Sequence, residues 1–263
     1  MQDKIPLIDA GRKFDWGLTS IDYATYRPGP PDSFYQKLAA LDIGLQNQAI
    51  LDLGTGTGLL ALQFAKQGAK VAGIDISAEQ IAQAKQAATQ ANLNIDFRVS
   101  PAETTPFKNN SFNVITANQC WLYFDTEKAI AEVKRLLIKD GLLMISLFSW
   151  LPRVDPIAYA SEQLILKHNS VWNGNDYDGY IEPLPEWARG DFNLKGFFYF
   201  DVPVAFTQES WRGRIRACRG VAASLNAAET KTFDKEHAEL LQKIAPEQFT
   251  ILHRVAARVM VVR

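Results

Sequence analysis

The segment that most restricts the fold of this chain is a run of glycines between two apolar stretches. Residues 49–53 (AILDL) form a short apolar run, typical of a buried β-strand, that leads into Gly54, Gly56 and Gly58. A helical apolar pattern begins directly afterwards at Leu59. Glycines let a backbone approach a ligand closely, and the first turn of a helix offers unpaired N–H groups. A strand, a glycine loop and a helix in this order predict a site for a nucleotide-like ligand.

Strand and helix patterns alternate through the first 150 residues. Further strands are predicted at 70–76, 95–99, 112–117 and 142–148, and helices at 59–66, after Ser77 and at 126–139. This alternation is typical of a parallel sheet with helices on both faces. Two later strands, predicted at 197–205 and 250–262, extend the expectation to an α/β, doubly wound, mostly parallel seven-stranded sheet.

The pattern becomes irregular after Phe148. Residues 150–195 are rich in aromatic residues, glycine and proline, with one helix predicted at 156–168, and long loops of this kind are usually lids or binding loops. Helices are predicted at 208–225 and 230–244. Because no linker divides the chain, we expect a single domain over 1–263, with 150–195 as a lid or substrate-binding insertion and a helical or irregular C-terminal embellishment.

Composition excludes several classes of function. The 28 basic residues balance 29 acidic ones, so no nucleic-acid partner held by bulk charge is expected. Two cysteines without CxxC spacing and three scattered histidines argue against a disulfide framework and against a metal site. The first residues carry charges where a signal peptide needs an apolar run, and no stretch reaches the roughly 18 to 20 apolar residues of a membrane span. We expect a cytoplasmic protein without a membrane partner.

Two cofactors compete for the glycine loop. A dinucleotide fingerprint GxGxxA can be read from Gly56 to Ala61, but it places Asp52 near a pyrophosphate, where like charges repel. S-adenosylmethionine carries an ammonium group that a nearby carboxylate attracts, so Asp52 favours the methyl donor. Asp75, at the end of the second predicted strand, can accept hydrogen bonds from ribose hydroxyls in either case.

Several segments resemble the class I S-adenosylmethionine-dependent methyltransferases, and within them the trans-aconitate methyltransferase-like small-molecule enzymes. The resemblance is carried by YRPGPP (26–31), ILDLGTGTGLL (50–60), VAGIDIS (71–77), SPAETTPFKNNSFNVITANQCWLYFD (100–125), EVKRLLIKDGLL (132–143) and WRGRIRACRG (211–220). It implies the Rossmann-like methyltransferase fold and S-adenosylmethionine as cofactor. Leu122-Tyr123 stands where the trans-aconitate-like group commonly has His-Trp.

The resemblance also implies the cofactor contacts. The glycine loop with Asp52 would cradle the methionine part, Asp75 would hold the ribose, and Ile76 would pack on the adenine. Tyr26 and Arg27 would close over the methionine end. The full set that the resemblance implies is Tyr26, Arg27, Asp52, Gly54, Thr55, Gly56, Gly58, Asp75, Ile76, Ala102, Glu103 and Asn118.

Aromatic side chains and two arginines are candidates for contact with the acceptor, namely Trp121, Tyr123, Trp150, Tyr177, Trp187, Arg212 and Arg216. Trp121 and Tyr123 follow the fourth predicted strand and so lie at the ligand-bearing edge of the expected sheet, although both could equally serve packing. Arg212 and Arg216, four positions apart, could hold a carboxylate together, and the alternative is a solvated basic face. No catalytic side chain can be named, because methyl transfer to a carboxylate needs no general base whereas a phenol or amine can require one.

The expected function is transfer of a methyl group from S-adenosylmethionine to a small-molecule acceptor with a carboxylate, hydroxyl or amine. The alternatives are an NAD-dependent oxidoreductase, a non-catalytic S-adenosylmethionine-binding module, and a methyltransferase acting on RNA or protein. The four arginines within 211–220 keep RNA open as a substrate. The chain is expected to be a monomer or homodimer.

Overall fold

The computed structural model describes residues 8–263, and these contain one sheet of seven strands. In chain order the strands are β1 (Ala49–Leu53), β2 (Lys70–Asp75), β3 (Asp96–Val99), β4 (Phe112–Asn118), β5 (Leu137–Trp150), β6 (Phe192–Thr207) and β7 (Gln248–Val262). Their order in the sheet is β3-β2-β1-β4-β5-β7-β6. The pairs β1–β2, β2–β3, β1–β4 and β4–β5 are parallel. The predicted α/β class and doubly wound, mostly parallel seven-stranded sheet are confirmed.

The described part also contains helices between and after the strands. They are α1 (Ser20–Tyr26), α2 (Asp32–Ala39), α3 (Leu59–Lys66), α4 (Ala78–Gln90), α5 (Thr126–Leu136), α6 (Pro156–His168), α7 (Gln208–Arg216) and α8 (Ala227–Ile244). Residues 1–7, on which part of the argument against a signal peptide rests, lie outside the described residues. Within residues 8–263 we find no helix with the length and apolar character that a membrane span requires.

Two of the predicted helices end earlier than expected. The helix predicted at 126–139 stops at Leu136, because Leu137 is extended and pairs with Phe112 as the first residue of β5. The helix predicted at 208–225 stops at Arg216. Beyond it, Gly220 lies so close to Ile165 and Trp172 that an added Cβ would come within 2.7 Å of the isoleucine. Tertiary contacts therefore replace the regular helical path in that turn.

The chain divides into two compact units. The sheet unit comprises residues 29–149, 181–200 and 254–263, and the helical unit comprises the described residues up to Pro28, 150–180 and 201–253. The predicted insertion at 150–195 is thus shared between the two units. Its role as a lid stays a prediction.

The core of the sheet unit lies along the central strands. Leu51 and Leu53 of β1 and Ile115 and Ala117 of β4 are fully buried. Continuous burial of this kind is expected where helices cover both faces of a parallel sheet. The apolar run 49–53 that predicted β1 therefore reflects a strand shielded on both sides.

The core of the helical unit contains a buried polar network. The Ser161 hydroxyl donates to the Ile157 carbonyl at 2.8 Å and accepts from the Trp211 indole N–H at 3.0 Å. His237 Nε2 lies 3.0 Å from the same hydroxyl. Because that hydroxyl proton is already committed, Nε2 must carry the imidazole proton. His237 Nδ1 then has no hydrogen-bond partner among residues 8–263, and burial lowers the pKa of His237 to about 4.

The lowered pKa of His237 predicts that acid weakens the folded state. An unfolded histidine takes up its proton near pH 6.5, whereas folded His237 does so only near pH 4, so stability is lost as pH falls through this window. In wild type, the free energy of unfolding should fall between pH 7 and pH 5 by about 2 kcal/mol more than in His237→Gln.

Urea unfolding at the two pH values measures this difference. Buried His253, whose pKa burial lowers to about 3, is present in both proteins and so cancels in the comparison. Equal pH dependence in wild type and variant would contradict the assignment.

Candidate functional site

The carboxyl ends of β1, β2 and β4 meet at one edge of the sheet because the strands are parallel neighbours. From β1 the strand order runs through β2 to β3 towards one edge of the sheet, whereas β4 and β5 lie on the other side of β1. The strand order therefore reverses its direction between β1 and β4, which is the switch point of the topology. Ligands of doubly wound sheets bind at such points. The candidate site within the sheet unit is therefore the glycine loop, the end of β2 and the end of β4.

The glycine loop is held in a conformation that favours glycine. Gly54, Gly56 and Gly58 have φ of 58°, 55° and 84°. A Cβ on Gly54 would lie 2.8 Å from both Cβ and Sγ of Cys120. The Cys120 thiol in turn donates to the Leu53 carbonyl at 3.1 Å, and burial raises its pKa well above the usual range. Cys120 is thus a compact packing residue against the loop.

Asp52 is buried directly behind the loop. Its two carboxylate oxygens each accept a hydrogen bond of 2.6 Å, one from the Thr55 hydroxyl and one from the Thr116 hydroxyl. Burial raises the pKa of Asp52 to about 6, although both hydroxyls favour the charged form. Asp52 therefore places a fixed negative charge behind the loop at neutral pH. Its direct contact with a ligand stays a prediction.

Asp75 is the carboxylate that the structure presents at the loop. Its oxygens accept from the N–H groups of Gly56 and Ser77, both at 2.9 Å. A carboxylate has about four acceptor positions, so each oxygen keeps a position for a ligand hydroxyl. Burial raises the pKa of Asp75, and the backbone N–H groups of Ser77, Gly56 and Ile76 oppose that shift. This geometry suits two vicinal hydroxyls.

The residues predicted around an adenine lie in different environments. Ile76, next to Asp75, is 73% exposed, which is unusual for a large apolar side chain that follows a buried strand. Ala102 is buried, and a Glu103 carboxylate oxygen accepts from the Asp125 N–H at the start of α5. Of these three residues, only Ile76 exposes a large apolar side chain. The adenine contacts of all three stay predictions.

The end of β4 supplies an amide and a tryptophan. Asn118 Oδ1 accepts from the Ser146 hydroxyl at 3.0 Å. Trp121 and Tyr123 form a short 3-10 turn directly afterwards, and Trp121 stacks on Trp187 with ring centroids 5.0 Å apart and an angle of 22°. Trp121 is buried, which fits packing more directly than acceptor contact. Its role and that of Tyr123 stay predictions.

The other predicted residues belong to the helical unit. Arg212 pairs with Glu209 and Asp234, and Arg216 pairs with Asp22 and Asp234. Their charges are compensated within the unit, an arrangement that the spacing of the two arginines alone did not reveal. Acceptor binding by either arginine stays a prediction.

Tyr26 and Arg27 also lie in the helical unit. The Tyr26 ring packs where a Cβ on Gly213 would approach within 2.1 Å, and its hydroxyl donates to Glu209 at 3.2 Å. The Arg27 guanidinium stacks 4.9 Å from the Tyr23 ring. Contact of either residue with a cofactor stays a prediction.

The residues of the sheet edge fit S-adenosylmethionine. Glycines with positive φ leave room beside the backbone, Asp75 retains acceptor positions, and Ile76 offers an exposed apolar face. The Thr57 hydroxyl, in the loop itself, is buried without a hydrogen-bond partner among residues 8–263. The described residues hold no group of three or more histidine, cysteine or acidic side chains that could bind a metal.

The chain is similar to known proteins. A family model described as "Methyltransferase domain" matches residues 51–145. The ubiquinone biosynthesis O-methyltransferase of Actinobacillus pleuropneumoniae serotype 7 (strain AP76) is 31% identical over 191 residues, which are 68% of this chain and 80% of that protein. The chain belongs to the S-adenosylmethionine-dependent methyltransferase family.

Two further comparisons show how much of the chain is similar to known proteins. The ubiquinone biosynthesis O-methyltransferase of Bartonella quintana (strain Toulouse) is 30% identical over 142 residues, so the match spans 52% of this chain and 56% of that protein. The solved structure of YjhP from E. coli shares the fold, with a TM-score of 0.55 at 19% identity, over 94% of this chain and 99% of that one. The methyltransferase family decides between the two cofactors in favour of S-adenosylmethionine.

Asp75 can be tested with a substitution that preserves its shape. Asp75→Asn replaces one accepting oxygen with a donor, so it should weaken binding of S-adenosylhomocysteine about tenfold or more. Asp96→Asn is the matched control, because Asp96 is an exposed carboxylate on the neighbouring strand that pairs with Arg98. Calorimetric titration gives both affinities. Unchanged affinity in a folded Asp75→Asn protein would remove Asp75 from the site.

The raised pKa of Asp52 predicts that cofactor affinity depends on pH. Asp52 becomes neutral as pH falls through about 6, so its attraction for the cofactor ammonium is lost below that value. Affinity for S-adenosylhomocysteine should drop about threefold to tenfold between pH 7.5 and pH 5 in wild type and change little in Asp52→Asn. An identical pH profile in the variant would contradict a role for this charge.

Proposed function

We propose that this protein transfers the methyl group of S-adenosylmethionine to a small-molecule acceptor. One observation carries the proposal. The Gly56 N–H fixes Asp75 at the glycine loop, beside the exposed Ile76, in a chain of the methyltransferase family. This arrangement supports a carboxylate that holds ribose hydroxyls and an apolar face that covers an adenine.

The chain's own residues bind and orient the reactants. When bound, the cofactor supplies an electrophilic methyl group on a positively charged sulfur. The loop amides and Asp75 fix the cofactor's position, and the buried charge of Asp52 favours its ammonium group. Asn118, at the end of β4, keeps its Oδ1 on Ser146, so its NH2 group points away from that bond and is available to a ligand.

Catalysis in this proposal comes from alignment and exclusion of water, without a named general base. A carboxylate acceptor needs no base, whereas a hydroxyl or amine must lose a proton. His237 and His253 are poor candidates for a base, because burial lowers their pKa values to about 4 and about 3. Within the proposed mechanism the acceptor therefore sets whether proton transfer is needed.

The acceptor is proposed as a small molecule with a carboxylate, hydroxyl or amine. The two relatives are named for O-methylation in ubiquinone biosynthesis, which supports an oxygen acceptor on a compact ring system. The trans-aconitate-like subgroup that the sequence resembles supports a carboxylate. Trp121, Tyr123, Arg212 and Arg216 remain the proposed acceptor contacts.

The proposal includes a cytoplasmic monomer or homodimer without nucleic-acid or membrane partners. The formal charge of -1 supports the absence of a nucleic-acid partner, because duplex binding depends on many phosphate contacts by basic residues.

Cofactor and turnover can be measured separately. Calorimetric titration with S-adenosylhomocysteine, run beside NADH, should give micromolar binding of the first and none of the second. Release of S-adenosylhomocysteine from S-adenosylmethionine should then depend on an acceptor from a panel of catechols, carboxylic acids and amines, and Asp75→Asn should lower it at cofactor concentrations that do not saturate the variant. Binding of NADH alone would overturn the proposal. Cofactor binding without turnover on any acceptor would favour a non-catalytic module.

A further inference from the structure

The arginines of α7 and the following turn differ in how their charges are compensated. Arg212 and Arg216 share Asp234, and Arg219 forms a buried pair with Asp9 at 2.8 Å. Arg214 lies two residues from both Arg212 and Arg216. This spacing places its side chain about 200° around the helix axis from theirs. It has no ion pair and no hydrogen bond to any of residues 8–263.

Arg214 is nevertheless buried. Its side chain is 4% exposed, and its guanidinium lies 4.7 Å from the centre of the Trp150 ring. Burial, together with the positive charge of Arg27, lowers the pKa of Arg214 to about 9. Arg214 and Arg27 therefore place two positive charges in the same region of the helical unit, and no described carboxylate pairs with Arg214.

The indole under Arg214 is fixed in place. Trp150 Nε1 donates to a Glu162 carboxylate oxygen at 2.7 Å, and the ring packs edge-on against Trp211 at 5.5 Å. The second oxygen of Glu162 accepts from the Asp176 N–H at 2.8 Å. Glu162 is thus committed to Trp150 and the backbone. The Trp150 ring contacts the Arg214 guanidinium but does not neutralise its positive charge.

A buried guanidinium without a counter-ion is costly, and stacking on an aromatic ring recovers only part of the lost hydration. Folded proteins rarely keep such a charge unless something binds it. The planar fork of an arginine matches the two oxygens of a carboxylate, and a charge-assisted bidentate pair is strongest where water is excluded.

We propose that Arg214, stacked on Trp150, is a binding site for the carboxylate group of a small-molecule ligand, and that this ligand is the methyl acceptor. The assignment to the acceptor rests on the proposed function. The binding site itself does not, because it follows from the unpaired guanidinium. A neutral acceptor would leave Arg214 without a counter-ion, so the site selects an anionic substrate.

Two ligands could bring the carboxylate, namely the acceptor and the methionine end of the cofactor. Binding of S-adenosylhomocysteine separates them, because it carries the cofactor carboxylate and no acceptor. If Arg214 serves the acceptor, Arg214→Met should bind S-adenosylhomocysteine with the wild-type affinity. A loss of about tenfold or more, the size expected for a charge-assisted pair, would assign the carboxylate to the cofactor and overturn the acceptor assignment.

The site itself is tested with small carboxylates. Acetate and benzoate should raise the melting temperature of the full chain with saturation, at ionic strength matched with chloride. Their neutral isosteres, acetamide and benzamide, should not. Arg214→Met should weaken the carboxylate effect about tenfold or more, and Arg214→Lys, which replaces the planar fork with an ammonium group, should weaken it partly.

Arg153→Met is the matched control, because Arg153 belongs to the same unit and pairs with Asp176 at the surface, with both side chains 54% exposed. It should respond to the carboxylates as wild type does. If Arg214→Met and Arg214→Lys responded to the carboxylates as strongly as wild type, the proposal would be overturned. The absence of any carboxylate effect on wild type would also overturn it. Failure of S-adenosylhomocysteine to bind wild type would instead contradict the proposed function.

Discussion

The site depends on one buried carboxylate. Asp52 lies behind the glycine loop, and a charge in that position is tolerated only because two threonine hydroxyls donate to it. Thr55 belongs to the loop and Thr116 to β4, so these two hydrogen bonds tie the loop and both central strands to one group. The loop can then hold its left-handed glycines close to Cys120, and its Gly56 N–H can hold Asp75.

The charges of the two units suit different ligand groups. The sheet edge carries the carboxylates of Asp52 and Asp75, which favour an ammonium group and ribose hydroxyls. The helical unit carries Arg214, a buried positive charge without a described acid, which favours a carboxylate.

Local patterns predicted the elements that carry the candidate cofactor site. The strand at 49–53, the helix at 59–66 and the acid at position 75 are each defined within a few residues, and the structure reproduces them. Helix ends were less predictable, because Leu137 leaves α5 to pair with Phe112 in a strand that is distant in sequence. Thr116 was missed, although its place two residues before Asn118 on β4 puts both side chains on one face of the strand.

The sequence by itself determined the fold class, the glycine loop and Asp75, since apolar periodicity and glycine conformation are local properties. Tertiary structure decided which charges are free to act. Spacing singled out Arg212 and Arg216, but acids from α1 and α8 neutralise them, whereas Arg214 has none among the described residues. Ion pairing depends on which helices pack together. Only the assembled helical unit could distinguish an arginine that is paired with acids from one that has no ion pair among the described residues.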